Sequence, residues 1–120
     1  MVSPSQAVGY HAEDTACRFL QQQGQQVVAR NFRCHYGELD LIMQDGEVLV
    51  FVEVRLRHNR RYGSGAESVT RTKQAKIIAS ALYYLQLNPA LADHPARFDV
   101  VSVGSDPENE INWIKDAFTA

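Results

Sequence analysis

The stretch from Gly37 to Leu56 constrains this chain more than any other. Residues 37–43 and 48–56 are two apolar-rich runs of strand length, joined by Gln44-Asp45-Gly46-Glu47. Asp-Gly between such runs is a strong signal for a tight hairpin. With Asp45 and Gly46 as a two-residue turn, Gln44 faces Glu47, Leu41 faces Val50 and Leu39 faces Val52. These pairs, with Met43, Val48 and Val54, make an apolar face that a helix must cover. The other face carries Glu38, Asp40 and Ile42 on one strand, with Leu49, Phe51, Glu53 and Arg55 on its partner. Asp40 falls opposite Phe51 and diagonal to Glu53, at roughly 7–8 Å between backbones. A three-residue turn would move Glu53 to the apolar face, and the matching of apolar pairs favours the shorter turn.

Helical patterns flank this hairpin. Ser3-Pro4-Ser5-Gln6 offers an N-cap serine, proline at the first helical position and glutamine to close a capping box. Ala12, Ala16, Phe19 and Leu20 recur at helical spacing, so a first helix is expected from about Pro4 to Gln23, stopped by Gly24. Val27–Phe32 reads as a first strand, before the hairpin strands Gly37–Met43 and Val48–Leu56. Asn59–Ala66, with two glycines, two arginines and no apolar periodicity, is expected as a mobile loop. Ile77, Ile78, Ala81, Leu82 and Leu85 mark a second amphipathic helix from about Ser68 to Asn88, closed before Pro89. Arg97–Val103 reads as a fourth strand, and Ile111–Ile114 as a short fifth strand or turn. A strand, a long helix and a strand form a βαβ unit with parallel strands, whereas the hairpin is antiparallel. The expected fold is α/β, a mixed central sheet flanked by helices in the order α-β-β-β-α-β(-β). One domain over residues 1–120 fits the usual domain size.

Composition narrows the function classes. The 45% hydrophobic and 22% charged content is ordinary for a globular chain and argues against disorder or a fibre. Cys17 and Cys34 form no CxxC pair, which removes the main support for zinc-ribbon or thioredoxin-type readings. His11, His35, His58 and His94 are scattered without metal-ligand spacing and read as surface or partly buried residues. No export signal and no membrane-spanning run is recognisable, so a soluble cytoplasmic protein without a membrane partner is expected. The net charge of −2 hides an asymmetry: residues 53–76 carry seven basic and two acidic side chains, the remainder five basic and twelve acidic. Such a basic segment attracts phosphate, although a solvated arginine-rich loop would have the same composition.

Asp40 and Glu53 sit in the middle of strands otherwise built from Val, Leu, Ile and Phe. Two close carboxylates repel, and burial raises the cost. A solvent-exposed polar edge would avoid the problem, and so would a divalent cation held between the oxygens. Arg55 lies two residues beyond Glu53 and points the same way. Two acids and a cation so arranged are what phosphodiester hydrolysis needs: a site for Mg²⁺ or Mn²⁺ and a positive charge for the developing anion.

Gly37-Glu38-Leu39-Asp40-Leu41-Ile42 followed by Leu49-Val50-Phe51-Val52-Glu53-Val54-Arg55 resembles the PD-(D/E)xK nuclease motif. The chain as a whole resembles the bacterial YraN-like family. That resemblance runs from Gly9 and Glu13 through Arg30-Asn31-Phe32-Arg33 and the hairpin to Arg97-Phe98-Asp99-Val100-Val101 and Ala117-Phe118. It implies a restriction-endonuclease-like core similar to that of Holliday-junction resolvases, with nucleic acid, DNA in the first place, as substrate. Analogy with resolvases at the level of fold suggests a homodimer. Residue by residue, Asp40 matches the first metal-binding acid, Glu53 the second, and Glu13 the acid of the first helix. Arg55 stands where the motif has lysine. Arginine keeps the charge but is never deprotonated, so it can stabilise an anion and cannot act as a base. Arg57, Arg60, Arg61 and Lys73 are the candidate phosphate contacts. Gln74, in line with Ile78, Ala81 and Leu85, is expected either to look into the same site, as a glutamine or lysine does in related nucleases, or to be a capped, partly exposed residue near the helix start. A non-catalytic nucleic-acid binding module and a protein-interaction subunit are the competing functions.

Overall fold

Glycine 46 decides where the hairpin turns. Its φ of +62° is left-handed, a conformation that costs glycine nothing, and the φ of neighbouring Glu47 is not positive. The two central residues of the turn are therefore Gly46 and Glu47, with Asp45 paired to Val48, Met43 to Val50 and Leu41 to Val52. This corrects the expected Asp45-Gly46 turn, which would have forced a non-glycine residue into the left-handed region. Every cross-strand partner moves by two residues. An even displacement preserves the pleat, so Phe51 still shares a face with Ile42, and Val50 with Met43.

The structure is a computed structural model and describes residues 4–57, 69–104 and 110–120. Helix α1 (Pro4–Gln22) leads into β1 (Gln26–Cys34), β2 (Gly37–Asp45) and β3 (Val48–Arg57). Helix α2 (Arg71–Leu87) and a single 3₁₀ turn (Pro89–Leu91) connect to β4 (Ala96–Gly104) and β5 (Ile111–Phe118). The strands form one sheet in the order β1-β2-β3-β4-β5, with β3 and β4 parallel and every other neighbouring pair antiparallel. This is the expected α/β architecture with a mixed sheet. The expected loop Asn59–Ala66 and the capping residue Ser3 lie outside the described residues. Among those described, no helix is long and apolar enough to cross a membrane.

Each helix covers one face of the sheet. Ala12, Ala16, Cys17 and Leu20 of α1 pack on Leu41, Met43, Val50, Val52, Val101 and Val103. Ile77, Ala81 and Tyr84 of α2 pack on Leu39, Ile42, Phe51, Phe98 and Val100. Because β3 and β4 are covered on both sides, their sequences are near-continuous apolar runs rather than alternating ones. Leu39 departs from the expected face: it joins the cluster under α2, while Leu41 lies under α1. Strand alternation therefore breaks at Asp40, the residue between them. Thr70 caps α2 by accepting the Lys73 N–H at 3.1 Å, which fixes where that helix begins. Both cysteines are free.

β5 runs four residues beyond the expected Ile114. Lys115 and Asp116 look like a strand end, and Asp116 has a φ of +51°. The pairing also slips between Phe98–Phe118 and Val100–Ile114, so that three residues of β5 lie opposite one of β4. That one residue is Asp99, which is fully buried. Its carboxylate accepts from Asp116 N–H (2.9 Å), from Trp113 Nε1 (3.0 Å) and from Arg97 Nε (3.0 Å). Arg97 reaches on to Asp45 at 3.1 Å, and Phe98 stacks on Phe118 with centroids 5.1 Å apart. The carboxylate thus fills the bulge and allows the strand to resume. Asp99→Ala is expected to cost about 3–5 kcal/mol, because it leaves Arg97 Nε, Trp113 Nε1 and the Asp116 N–H without their acceptor and Arg97 with Asp45 alone. Urea unfolding followed by Trp113 fluorescence measures this; a loss below about 1 kcal/mol would show that the bulge holds itself.

Candidate active site

Four elements contribute side chains to the region where β2 and β3 separate. Their ladder of paired residues runs from Asp45–Val48 to Leu41–Val52. Beyond it Asp40 points its carboxylate at β3, and Oδ2 accepts the Val54 N–H at 2.8 Å. Glu53 stands beside it on β3. Asp40 is 8% exposed and Glu53 4%, so both acids are buried rather than on a polar edge. Arg55, two residues along β3, places Nη1 3.6 Å from Glu53 Oε1. Lys73, from the first turn of α2, brings Nζ to 3.3 Å from the same oxygen.

Glu13 approaches from α1 and is half-buried between Ala12 and Ala16. It is held by Asn31 of β1, whose side-chain nitrogen, turned toward the carboxylate, donates to Oε2 at 2.9 Å and Oε1 at 3.1 Å. Asn31 has a φ of +55°, a left-handed conformation that asparagine tolerates better than most residues. Arg30 beside it bonds Asp14 at 2.6 Å, which ties β1 to the same turn of α1.

The electrostatics follow from this crowding. Burial, then the neighbouring Glu53 charge, pushes the Asp40 carboxyl up to about 8, against the one favourable contribution of the Val54 N–H; Glu13 and Glu38 push the same way. Burial also raises the pKa of Glu13, opposed by Arg30 and the Asn31 hydrogen bond. At neutral pH the pocket therefore favours a proton on Asp40, the response of acids gathered without enough positive charge. A divalent cation would supply that charge. Among the described residues no cluster of three or more His, Cys, Asp or Glu has metal-holding geometry. A cation here would rest on Asp40 and Glu53 and draw its other ligands from water, backbone or substrate, an arrangement that suits Mg²⁺.

Asp40, Glu53, Arg55, Glu13 and Lys73 thus converge. The remaining candidates are placed otherwise. Gln74 donates its amide to the Val69 carbonyl at 3.1 Å, closing the entry into α2. Arg57 lies at the end of β3 with its side chain 16% exposed and faces Glu110 at 3.8 Å. Arg60 and Arg61 lie outside the described residues. Two contributions were not visible in the pattern of residues. Lys73, expected as a phosphate contact, reaches the Glu53 carboxylate of the site. Asn31 holds Glu13, and its signal in the sequence is an asparagine within a run of strand residues, where a left-handed break is needed.

The family model described as Uncharacterised protein family UPF0102 matches residues 12–103. A UPF0102 protein of Nitrosococcus oceani is 46% identical over 111 residues, covering 92% of this chain and 90% of that one. A UPF0102 protein of Pseudomonas syringae pv. syringae is 46% identical over 118 residues, covering 97% and 96%. One of Coxiella burnetii is 44% identical over 117 residues, covering 98% and 96%. This chain belongs to the UPF0102 family.

The raised proton affinity of Asp40 has a consequence for stability. Because its folded pKa, about 8, exceeds the ordinary 3.8, the fold favours the neutral acid. That contribution is fully present below the ordinary value and is lost as pH rises toward 8. Asp40→Asn keeps an acceptor for the Val54 N–H and removes the charge. In metal-free protein at pH 8 it is expected to stabilise the fold by more than about 1 kcal/mol, the worth of one pKa unit. The gain should shrink at pH 5. Melting curves at the two pH values test this, and an Asn variant less stable than the native chain at both would contradict the assignment.

Proposed function

We propose that this UPF0102 protein is a metal-dependent phosphodiester hydrolase acting on DNA, built on a restriction-endonuclease-like core. The observation that carries this reading is the buried Asp40–Glu53 pair, short of positive charge at Asp40 and bordered by Arg55 and Lys73. Asp40 and Glu53 would hold Mg²⁺ or Mn²⁺, which when bound supplies Lewis-acid polarisation of the phosphate and of its attacking water. As a ligand, Asp40 would be in its deprotonated form. Arg55 and Lys73, fixed cations beside Glu53, stabilise the negative charge that develops on the phosphate oxygens. Arg55 cannot take a proton at any working pH. Glu13 can, because burial brings its pKa closer to neutrality, and Asn31 holds its two oxygens in place; it is the candidate base for the water. Asp40 and Glu53 are buried, reached from α1 on one side and α2 on the other, while Arg55 and Lys73, with side chains 34% and 40% exposed, remain open to a substrate from solvent.

A second reading follows from one specific contact. Glu53 already faces two cations, Lys73 at 3.3 Å and Arg55 at 3.6 Å. A site whose second acid is satisfied internally also suits a nucleic-acid binding module that retains the fold without turnover. Cleavage assays titrated with Mg²⁺ and Mn²⁺ on linear, flapped and four-way DNA separate the two. As a hydrolase, the native chain should cut at least one substrate, and Asp40→Asn should abolish cutting. Arg55→Lys should keep or raise the rate. Arg55→Ala and Lys73→Ala should each lose about 2–4 kcal/mol of transition-state stabilisation, as when one oxyanion donor is removed. No cleavage of any substrate with either metal would leave the binding module as the better account.

A further inference from the structure

Between the start of β2 and the first turns of α2 lies a cleft of about 380 Å³ that shares Lys73 with the candidate active site. Arg33, Lys73 and Lys76 line it, with Glu38 as the single carboxylate; Glu38 pairs with Arg33 Nε at 3.2 Å, and the wall remains net positive. Lys73, Lys76, Ser80 and Tyr83 follow one another along one side of α2, covering roughly 15 Å of helix. The β1–β2 turn is held against this side. Gly37 sits so close that a Cβ there would meet Ser80 Oγ at 3.4 Å and Lys76 Cβ at 3.5 Å, and Cys34 Sγ reaches Ser80 Oγ at 3.6 Å.

At the far end of the same strip three rings gather. His35 and Tyr36 of the turn lie 4.0 Å apart, and Tyr83 of α2 lies 5.6 Å from His35 and 5.9 Å from Tyr36. Tyr36 is 45% exposed, a large aromatic surface left open to solvent. Packing explains Tyr83, which is half-buried, but leaves the outer ring unexplained. A line of cations ending in an open aromatic platform has the two parts that hold a single strand: charges for successive phosphates and a ring face for a base. The bases of a duplex have their faces covered by neighbours and gain nothing from such a ring.

We propose that this cleft binds an unpaired stretch of nucleic acid, with phosphates along Arg33, Lys73 and Lys76 and a base stacked on Tyr36. Its continuity with the acid pair through Lys73 makes the preferred substrate a strand with unpaired nucleotides next to the bond that is cut. The second statement rests on the hydrolase reading; the first does not.

The test measures binding without metal, so that it is independent of turnover. Fluorescence anisotropy with labelled oligothymidylate and with a duplex of equal length compares the native chain, Tyr36→Ala, Tyr36→Trp and Lys76→Ala. Tyr36→Ala should weaken oligothymidylate binding about tenfold or more and leave duplex binding unchanged, whereas Tyr36→Trp should retain or tighten it. Lys76→Ala should weaken both ligands and reduce the salt dependence of each by about one phosphate contact. Oligothymidylate affinity unchanged in Tyr36→Ala would overturn the proposal, as would equal losses for single strand and duplex. DNA cleavage by a native chain whose Tyr36→Ala variant binds normally would remove this inference and leave the hydrolase standing. Tyr36-dependent binding without cleavage would do the reverse.

Discussion

The hydrogen bond from Val54 N–H to Asp40 Oδ2, 2.8 Å long, is the contact on which the candidate site depends. It forms where the β2–β3 ladder has ended, so a side chain takes the place of the next backbone pairing. Two things follow. Asp40 is drawn into the sheet beside Glu53, where water cannot screen the two carboxylates, and Leu39 and Leu41 are released to opposite faces. One residue thereby serves as a strand clasp and as an acid with an unusual affinity for its proton. The stability lost at high pH is the counterpart of gathering these acids in one buried place.

The same device recurs on the other side of the sheet with the opposite outcome. Asp99 is also a buried acid at a break in pairing, but Arg97, Trp113 and the Asp116 N–H satisfy it. A carboxylate compensated in this way is structural. Asp40, with one backbone donor and three acids pressing on it, lacks that compensation. Of the two buried acids, Asp40 is the one left short of positive charge. Through Asp99 and the Phe98–Phe118 stack, β4 holds the edge strand β5 in place.

Much of this was legible in the residues because strand periodicity survives errors in register. The turn lies one residue later than the Asp-Gly pair suggests, yet the displacement is even, and Phe51 and Ile42 keep their shared face. Asp40 and Glu53 emerge closer in register than the diagonal expected for them. The alternation rule could not foresee that Leu39 would cross to the α2 side, because that crossing depends on Asp40 bonding to β3 rather than to its own strand. Lys73 was legible as a cation and not as a partner of Glu53, since its reach is set by where Thr70 starts α2. The length of β5 was hidden for a similar reason: Lys115 and Asp116 look like a strand end until the buried Asp99 is in view.

Proton release on metal binding tests the central claim most directly. Calorimetric titration of Mn²⁺ into the native chain at pH 7, in buffers of different ionisation enthalpy, reports both affinity and protons displaced. If Asp40 and Glu53 are the ligands, binding should release up to about one proton at pH 7 and fewer above pH 8, where Asp40 is already ionised. Asp40→Ala should lose the binding and the proton together. Mn²⁺ binding of equal strength in the native chain and in Asp40→Ala would contradict the account.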